Sequence, residues 1–187
     1  MRASTLILGG AKSGKTALAL RLAQTLAPSQ GRLVYIATAQ ALDGEMTGRI
    51  RRHQEERGPR WTTLEEPLDL PGALAQAGGP GDVLLVDCLT LWLSNLLTCA
   101  GLEAGAVEAR AGELCRAVAA CQASVILVAN EVGLGIVPDN ALARAFRDQA
   151  GWLNQNLAQV CQNVILVAAG LPLALKGAPP IQPHGDS

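Results

Sequence analysis

The sequence Gly9-Gly10-Ala11-Lys12-Ser13-Gly14-Lys15-Thr16 follows a short apolar run and precedes a helix-forming segment. It has the Gly-x-x-x-x-Gly-Lys-Thr spacing of a phosphate-binding loop. Glycines let the backbone curl so that successive N–H groups converge on phosphate oxygens, and the following helix presents the positive end of its dipole there. We expect Lys15 to reach the β and γ phosphates and the Thr16 hydroxyl to ligate Mg²⁺. The sequence therefore predicts a nucleotide-binding domain.

Outward from this loop, short apolar runs alternate with helical patterns. The runs lack polar alternation, as strands buried on both faces do, and lie at 5–8, 33–37, 83–87, 124–129 and 163–168. The helical patterns lie at 15–26, 42–57, 68–76, 103–122 and 141–162. Because strand and helix alternate, we predict an α/β fold, a three-layer P-loop NTPase with a mainly parallel central sheet.

Length and composition fit one such domain. The 187 residues are 49% hydrophobic but only 3% aromatic, which suits strands of Val, Ile and Leu under Ala-rich helices. We expect residues 1–176 to form a single nucleotide-binding domain and residues 177–187, with three prolines, to form a flexible tail.

Charge and cysteine content narrow the class of partner. Fifteen basic and 16 acidic residues give a net charge of -1, so no global field favours nucleic acid. The apolar stretch 83–101 contains Asp87, Ser94 and Asn95, which favours a buried strand and a helix over an integral membrane segment. Five cysteines without a CxxC pair indicate a reducing compartment, and we expect a cytoplasmic protein.

A second element of a magnesium site is expected at Asp87. The segment Val83-Leu84-Leu85-Val86-Asp87 is an apolar strand that ends in a carboxylate, and it resembles a Walker B strand. Asp87 could bind Mg²⁺ through water or act as a base toward a substrate hydroxyl. The alternative is an aspartate that ends a strand and caps the next helix.

The segment 42–57 holds His53, one of only two histidines. On a helix, Leu42, Met46, Ile50 and His53 share one face, and four arginines surround the histidine in sequence. One interpretation is a core or boundary histidine on a solvated helix. The other is a nucleophile, since a neutral imidazole can attack phosphorus while cations stabilise the oxyanions that develop.

Four blocks in order resemble the bifunctional adenosylcobinamide kinase / adenosylcobinamide-phosphate guanylyltransferase family of cobalamin biosynthesis. The blocks are the loop at 9–16, Tyr35-Ile36-Ala37-Thr38-Ala39, the segment 43–53 and Asn130-Glu131-Val132-Gly133-Leu134-Gly135-Ile136-Val137-Pro138. The resemblance continues to about Gly170. It implies phosphoryl transfer from GTP or ATP to adenosylcobinamide. It then implies GMP transfer from GTP, through a covalent GMP-histidine, to adenosylcobinamide phosphate.

The resemblance also implies site residues. It places the nucleophile at His53, and the loop and the strand that ends at Asp87 add Lys15 and Asp87 as catalytic residues and Thr16 and Asp87 as Mg²⁺ ligands. It places nucleotide contacts at Gly9, Gly10, Ala11, Lys12, Ser13, Gly14, Lys15, Thr16, Ala37, Thr38, Ala39, Gln54, Glu55, Glu56, Arg57, Glu65 and Asp87. Glu65 could accept hydrogen bonds from guanine N–H groups.

The family resemblance further implies a homotrimer, in which a neighbouring subunit could help to form the site. Lys12 stands where the family often has Arg, which keeps the charge but loses the bidentate fork. Two other functions stay open: a P-loop small-molecule kinase without the guanylyltransferase step, and a nucleotide-dependent switch or assembly protein. Labelling by α-labelled GTP separates the first alternative from the bifunctional enzyme.

Overall fold

A computed structural model describes residues 2–39 and 58–177 of the chain. The strands are β1 (Ser4–Gly9), β2 (Leu33–Ala37), β3 (Trp61–Glu65), β4 (Val83–Asp87), β5 (Ser124–Asn130), β6 (Asn163–Ala168) and β7 (Leu171–Lys176). The helices of these ranges are α1 (Lys15–Leu26), α2 (Leu70–Ala77), α3 (Leu89–Thr98), α4 (Ala104–Ala120) and α5 (Ala141–Val160).

The strands form one seven-stranded sheet in the order β3-β2-β4-β5-β1-β6-β7. All neighbours pair in parallel except β7, which runs antiparallel to β6. The carboxyl ends of six strands therefore meet at one edge of the sheet, where parallel α/β folds bind their ligands. The predicted mainly parallel α/β sheet is confirmed.

Helices cover both faces of the sheet, as the apolar runs require. Helix α1 packs through Leu18 and Leu22 on one face, against strand residues that include Ile7 and Ile126. Helices α2 to α5 pack on the other face, where the fully buried Trp92 donates its indole N–H to the Leu68 carbonyl at 2.9 Å. The three layers that the sequence predicts are thus present.

Two strands escape the sequence prediction because they are edge strands. The β3 sequence Trp-Thr-Thr-Leu-Glu is only partly buried, and β7 alternates exposed leucines with less exposed residues. Both therefore lack the continuous apolar run of a strand buried on two faces. The predicted helix at 42–57 lies outside the described residues, as does the tail from residue 178 on. No helix within the described ranges is long and apolar enough to cross a membrane.

Candidate nucleotide site

The glycine-rich loop joins the end of β1 to the start of α1 at the carboxyl edge of the sheet. A Cβ atom at Gly9 would collide with the Val167 carbonyl oxygen of β6, so the loop can leave the sheet here only with glycine. Gly14 has φ of +100°, in the left-handed region that glycine adopts without strain, and Lys15 begins the helix directly after it. These conformations set the loop N–H groups around the N-terminus of α1, which is the arrangement that binds phosphate.

Lys15 is folded back into this cradle. Its side chain is only 6% exposed, and Nζ donates to the Gly10 carbonyl oxygen and, at 3.4 Å, to the Ser13 hydroxyl. Burial lowers the pKa of Lys15, and the negative charge of Asp87 partly opposes that shift. Within residues 2–39 and 58–177, no carboxylate lies at ion-pair distance from Lys15. The ammonium is therefore available to a bound anion.

Asp87 closes the other side of the site. Its Oδ2 accepts hydrogen bonds from the Thr16 hydroxyl and from the Tyr35 hydroxyl, each at 3.0 Å. Tyr35 and Asp87 point to the same face of the sheet, because Tyr35 pairs with Leu85 and Ala37 pairs with Asp87. The hydroxyl and carboxylate oxygens of Thr16 and Asp87 are the hard donors that Mg²⁺ prefers, so these two residues fit a magnesium site.

A buried hydrogen-bond cluster joins the end of β2 to the segment after β4. The Thr38 hydroxyl donates to the Cys88 carbonyl at 2.8 Å and accepts from the Cys88 N–H at 2.9 Å. Asn95, buried on α3, donates to the Thr38 carbonyl at 2.9 Å and to the Pro67 carbonyl at 3.1 Å. The Thr38 side chain thus fixes the two strand ends relative to each other, and its backbone lies at the same edge as the loop.

Glu65 ends β3 in the same row of the sheet. Ala37 of β2 pairs with Glu65 on one side and with Asp87 on the other. At a strand spacing of about 4.8 Å, the Glu65 and Asp87 backbones lie about 10 Å apart. The Ala37 carbonyl accepts a hydrogen bond from the Glu66 N–H at 2.9 Å, which holds the chain beside β2 for one residue past the end of β3.

The structure brings together the predicted residues of the loop, Lys15, Thr16 and Asp87, and it places Ala37, Thr38 and Glu65 along the same edge. His53 and the predicted contacts Gln54, Glu55, Glu56 and Arg57 lie outside the described residues. The first described range ends at Ala39, just past the carboxyl end of β2, and the second begins at Gly58, which precedes the amino end of β3.

Comparison with known proteins decides the family. The profile of the cobinamide kinase / cobinamide phosphate guanyltransferase family matches residues 5–175. The chain belongs to this family. It is therefore an enzyme of the kinase and guanylyltransferase class, and the resemblance drawn from the four sequence blocks is confirmed.

Relatives match along nearly their whole length. The chain is 49% identical over 175 residues to the bifunctional adenosylcobalamin biosynthesis protein CobP of Pseudomonas aeruginosa, covering 93% of this chain and 98% of the relative. It is 41% identical over 182 residues to the bifunctional adenosylcobalamin biosynthesis protein CobU of Salmonella typhimurium, covering 91% and 98%.

Solved structures show the same fold at low identity. A protein from Pyrococcus horikoshii OT3 matches with a TM-score of 0.56 and 9% identity, covering 95% of this chain and 88% of that chain. The flagellar accessory protein FlaH from Methanocaldococcus jannaschii matches with a TM-score of 0.50 and 15% identity, covering 94% and 78%. At these identities the likeness concerns the fold alone.

Sequence reasoning assigned no role to two side chains that the structure places in the site. Tyr35 reads as one more apolar position of β2, yet its hydroxyl contacts Asp87. Asn95 lies within the apolar stretch that follows β4, and its amide holds two carbonyls at the sheet edge. A buried amide or hydroxyl inside an apolar run needs a partner, and that requirement was the available signal.

Proposed function

We propose that this enzyme phosphorylates adenosylcobinamide with a nucleoside triphosphate. We further propose that it transfers GMP from GTP, through a covalent GMP-histidine at His53, to adenosylcobinamide phosphate, giving adenosylcobinamide-GDP and pyrophosphate. The observation that carries the proposal is the convergence of Lys15, Thr16 and Asp87 at the glycine-rich loop of a chain in this family. A buried lysine in a phosphate cradle beside a hydroxyl–carboxylate pair supports phosphoryl and nucleotidyl transfer.

In the kinase step, loop N–H groups and Lys15 hold the β and γ phosphates and stabilise the charge that develops on them. Mg²⁺ would be held by Thr16 and Asp87, and when bound it neutralises phosphate charge. Asp87 is also the proposed base that accepts the proton of the substrate hydroxyl. Tyr35 orients that carboxylate through its hydrogen bond to Oδ2.

In the second step, the His53 imidazole forms a bond to the α phosphorus of GTP and the bond to pyrophosphate breaks. Adenosylcobinamide phosphate then takes the GMP group from the histidine. The neighbouring Gln54, Glu55, Glu56 and Arg57, with Glu65 and Ala39, are proposed to contact the guanine nucleotide. Glu65 ends a strand in the same row as Asp87, which supports a nucleotide that extends along this edge.

Two further properties belong to the proposal. We propose a homotrimer, because the family resemblance implies one. We also propose a cytoplasmic enzyme, since all five cysteines are free, as expected in a reducing compartment.

The test of the covalent step is incubation with α-labelled GTP and Mg²⁺, followed by denaturation and counting of protein-bound label. We expect label on the wild type that is stable to base and lost in acid, as a phosphoramidate is. His53→Ala should carry none, and His184→Ala, which alters the only other histidine, should label like the wild type. An unlabelled wild type that still phosphorylates adenosylcobinamide would leave the kinase alone as the function.

A further inference from the structure

The loop between β5 and α5 exposes aliphatic side chains to water. Leu134 is 88% exposed, Ile136 96% and Val137 58%. Exposed apolar side chains are ordinary when they occur singly, but three within four residues form a local apolar surface. We call residues 131–140 the apolar loop.

The apolar loop is held in place at both ends. At its start, the Glu131 N–H donates to the Gly9 carbonyl at 2.9 Å, and the Gly133 N–H donates to the Glu131 carboxylate at 2.7 Å. At its end, Arg144 donates to the Pro138 carbonyl at 2.9 Å and to the Asp139 carbonyl at 2.7 Å. The aliphatic side chains are therefore presented on a tethered loop, which lowers the entropy cost of binding a partner.

The position of the apolar loop links it to the nucleotide site. Gly9 begins the phosphate cradle, so Glu131 lies directly beside that cradle. Asn130, the last residue of β5, donates its N–H to the Thr90 hydroxyl of α3 at 2.7 Å. The loop thus extends from the phosphate cradle across the carboxyl edge of the sheet.

At its far end the apolar loop meets a cavity of about 340 Å³ between α3 and α5. Leu97, Leu142 and Phe146 give this cavity a mainly apolar lining, and Ser94, Thr98 and Asn140 add neutral polar groups. Among the residues that the structure describes, no charged side chain lines it. The exposed aliphatic residues and the cavity together offer an apolar surface with a few neutral polar groups, and the carboxylates of Glu131 and Asp139 lie near the two ends of the loop. Such a surface suits a large amphipathic ligand.

We propose that the apolar loop and this cavity bind the corrin macrocycle of the substrate and direct its alcohol arm toward the phosphate cradle. The inference rests on the proposed function, which requires a corrinoid next to the nucleotide. The apolar faces of a corrin ring suit Leu134 and Ile136, and its peripheral carboxamides suit the hydroxyl and amide groups of Ser94 and Asn140. A second copy of this chain is the competing occupant of the same surface.

The test compares cobinamide binding by the wild type and by the double variant Leu134→Asn/Ile136→Asn. Both side chains are almost fully exposed, so the variant should fold normally. Removing two aliphatic contacts should weaken cobinamide binding by about tenfold or more. Equilibrium dialysis with detection of the corrin absorbance measures this affinity. GTP affinity and the yield of GTP-derived covalent label should stay within about twofold of wild type.

Two further variants sharpen the test. Ala143→Phe adds bulk to the cavity and should also weaken cobinamide binding while it spares GTP binding. Leu175→Asn makes the matched apolar-to-polar change at a 55% exposed leucine on β7 and should leave cobinamide affinity unchanged.

Unchanged cobinamide affinity in the double variant, with a wild type that binds and phosphorylates cobinamide, would overturn the inference and leave the proposed function intact. A change of oligomeric state in the double variant, seen by sedimentation, would assign the surface to a second copy and also overturn it. A wild type that neither binds nor phosphorylates cobinamide would refute the proposed function itself.

Discussion

A buried ionic side chain lies at each end of the parallel strands, Asp82 at the amino edge of the sheet and Lys15 at the carboxyl edge. The two side chains differ in their hydrogen-bond partners. At the amino edge, Asp82 accepts from the Arg32 backbone N–H at 3.0 Å, from the Arg32 guanidinium at 2.6 and 3.2 Å, and from the Gly79 N–H at 3.0 Å. At the carboxyl edge, Lys15 contacts a carbonyl and a hydroxyl, with no carboxylate at ion-pair distance in the described ranges.

The difference separates a structural cluster from a functional one. Asp82 has its acceptor capacity filled by groups of the protein, so it fixes the turn before β4 and leaves nothing for a ligand. Burial lowers the pKa of Lys15, and the N–H groups of its ammonium can donate to an incoming phosphate. We therefore expect changes at the carboxyl edge to alter turnover and changes at the amino edge to alter stability.

The largest expected effect is that of Lys15→Ala on turnover. Loss of the ammonium removes a preorganised cation at the transferring phosphates, which should lower kcat/KM for nucleotide-dependent phosphorylation by about 10²- to 10³-fold. The thermal midpoint should change little, because the variant also removes the desolvation of a buried ammonium. Steady-state kinetics and thermal melting measure the two outcomes. Full kinase activity in Lys15→Ala would remove this residue from its role.

Asp82→Ala should have the opposite outcome, a loss of stability with turnover retained. This variant leaves the N–H groups of Arg32 and Gly79 without their acceptor, so we expect a loss of about 2–3 kcal/mol in the free energy of unfolding. Denaturant titration measures it, and turnover of the folded fraction should stay within about twofold, since the site lies at the opposite edge.

The matched control is Asp148→Ala, which removes the carboxylate of an exposed ion pair with Arg147 at 2.9 Å. Exposed pairs contribute little, so this variant should cost less than about 1 kcal/mol. Equal destabilisation by the two variants would show that the hydrogen bonds of Asp82 have no special structural importance.

Lowering the pH should also reduce the stability that Asp82 contributes, by less than the Asp82→Ala substitution does. Hydrogen bonds from Arg32 hold the pKa of Asp82 below its ordinary value of 3.8. Because the folded-state pKa is depressed, Asp82 stabilises the fold above pH 3.8, and this contribution is lost as pH falls through the lower folded-state value. Stability measured between neutral pH and pH 3 should therefore fall less steeply in Asp82→Asn than in the wild type. Parallel curves would contradict the assignment.

The central part of this fold can be predicted from the sequence, because strands buried on both faces have a recognisable local composition. Strands β1, β2, β4, β5 and β6 are buried on both faces and read as continuous apolar runs, and the loop spacing predicts the cradle, Lys15 and Thr16 directly. The edge strands β3 and β7 have one exposed face and a weak hydrophobic pattern, so they are identified only by their pairing with a neighbouring strand in the structure.

The polar contacts of the site depend on tertiary position, which no spacing rule gives. The Thr16 and Asp87 side chains meet across 71 positions of sequence, and Asn95 reaches Thr38 across 57. The apolar strand that ends in a carboxylate predicts Asp87, the resemblance to the family adds Thr38 and Glu65, and the structure shows that the three lie at one edge of the sheet. One tether of the apolar loop, from the Glu131 N–H to the Gly9 carbonyl, likewise joins residues far apart in the chain. The sequence therefore does not show that the exposed Leu134 and Ile136 lie on a loop that begins beside the phosphate cradle.

The smallest expected effect concerns Tyr35→Phe, which separates orientation of the metal site from its formation. The variant keeps the buried ring and removes only the hydroxyl that donates to Asp87 Oδ2. Because partners behind a metal ligand tune its affinity, the Mg²⁺ concentration for half-maximal phosphorylation should rise by up to about tenfold. Nucleotide affinity measured without Mg²⁺ should not change, since Lys15 and the loop are untouched. An unaltered Mg²⁺ dependence would show that the Thr16 contact and the end of β4 position Asp87 without Tyr35.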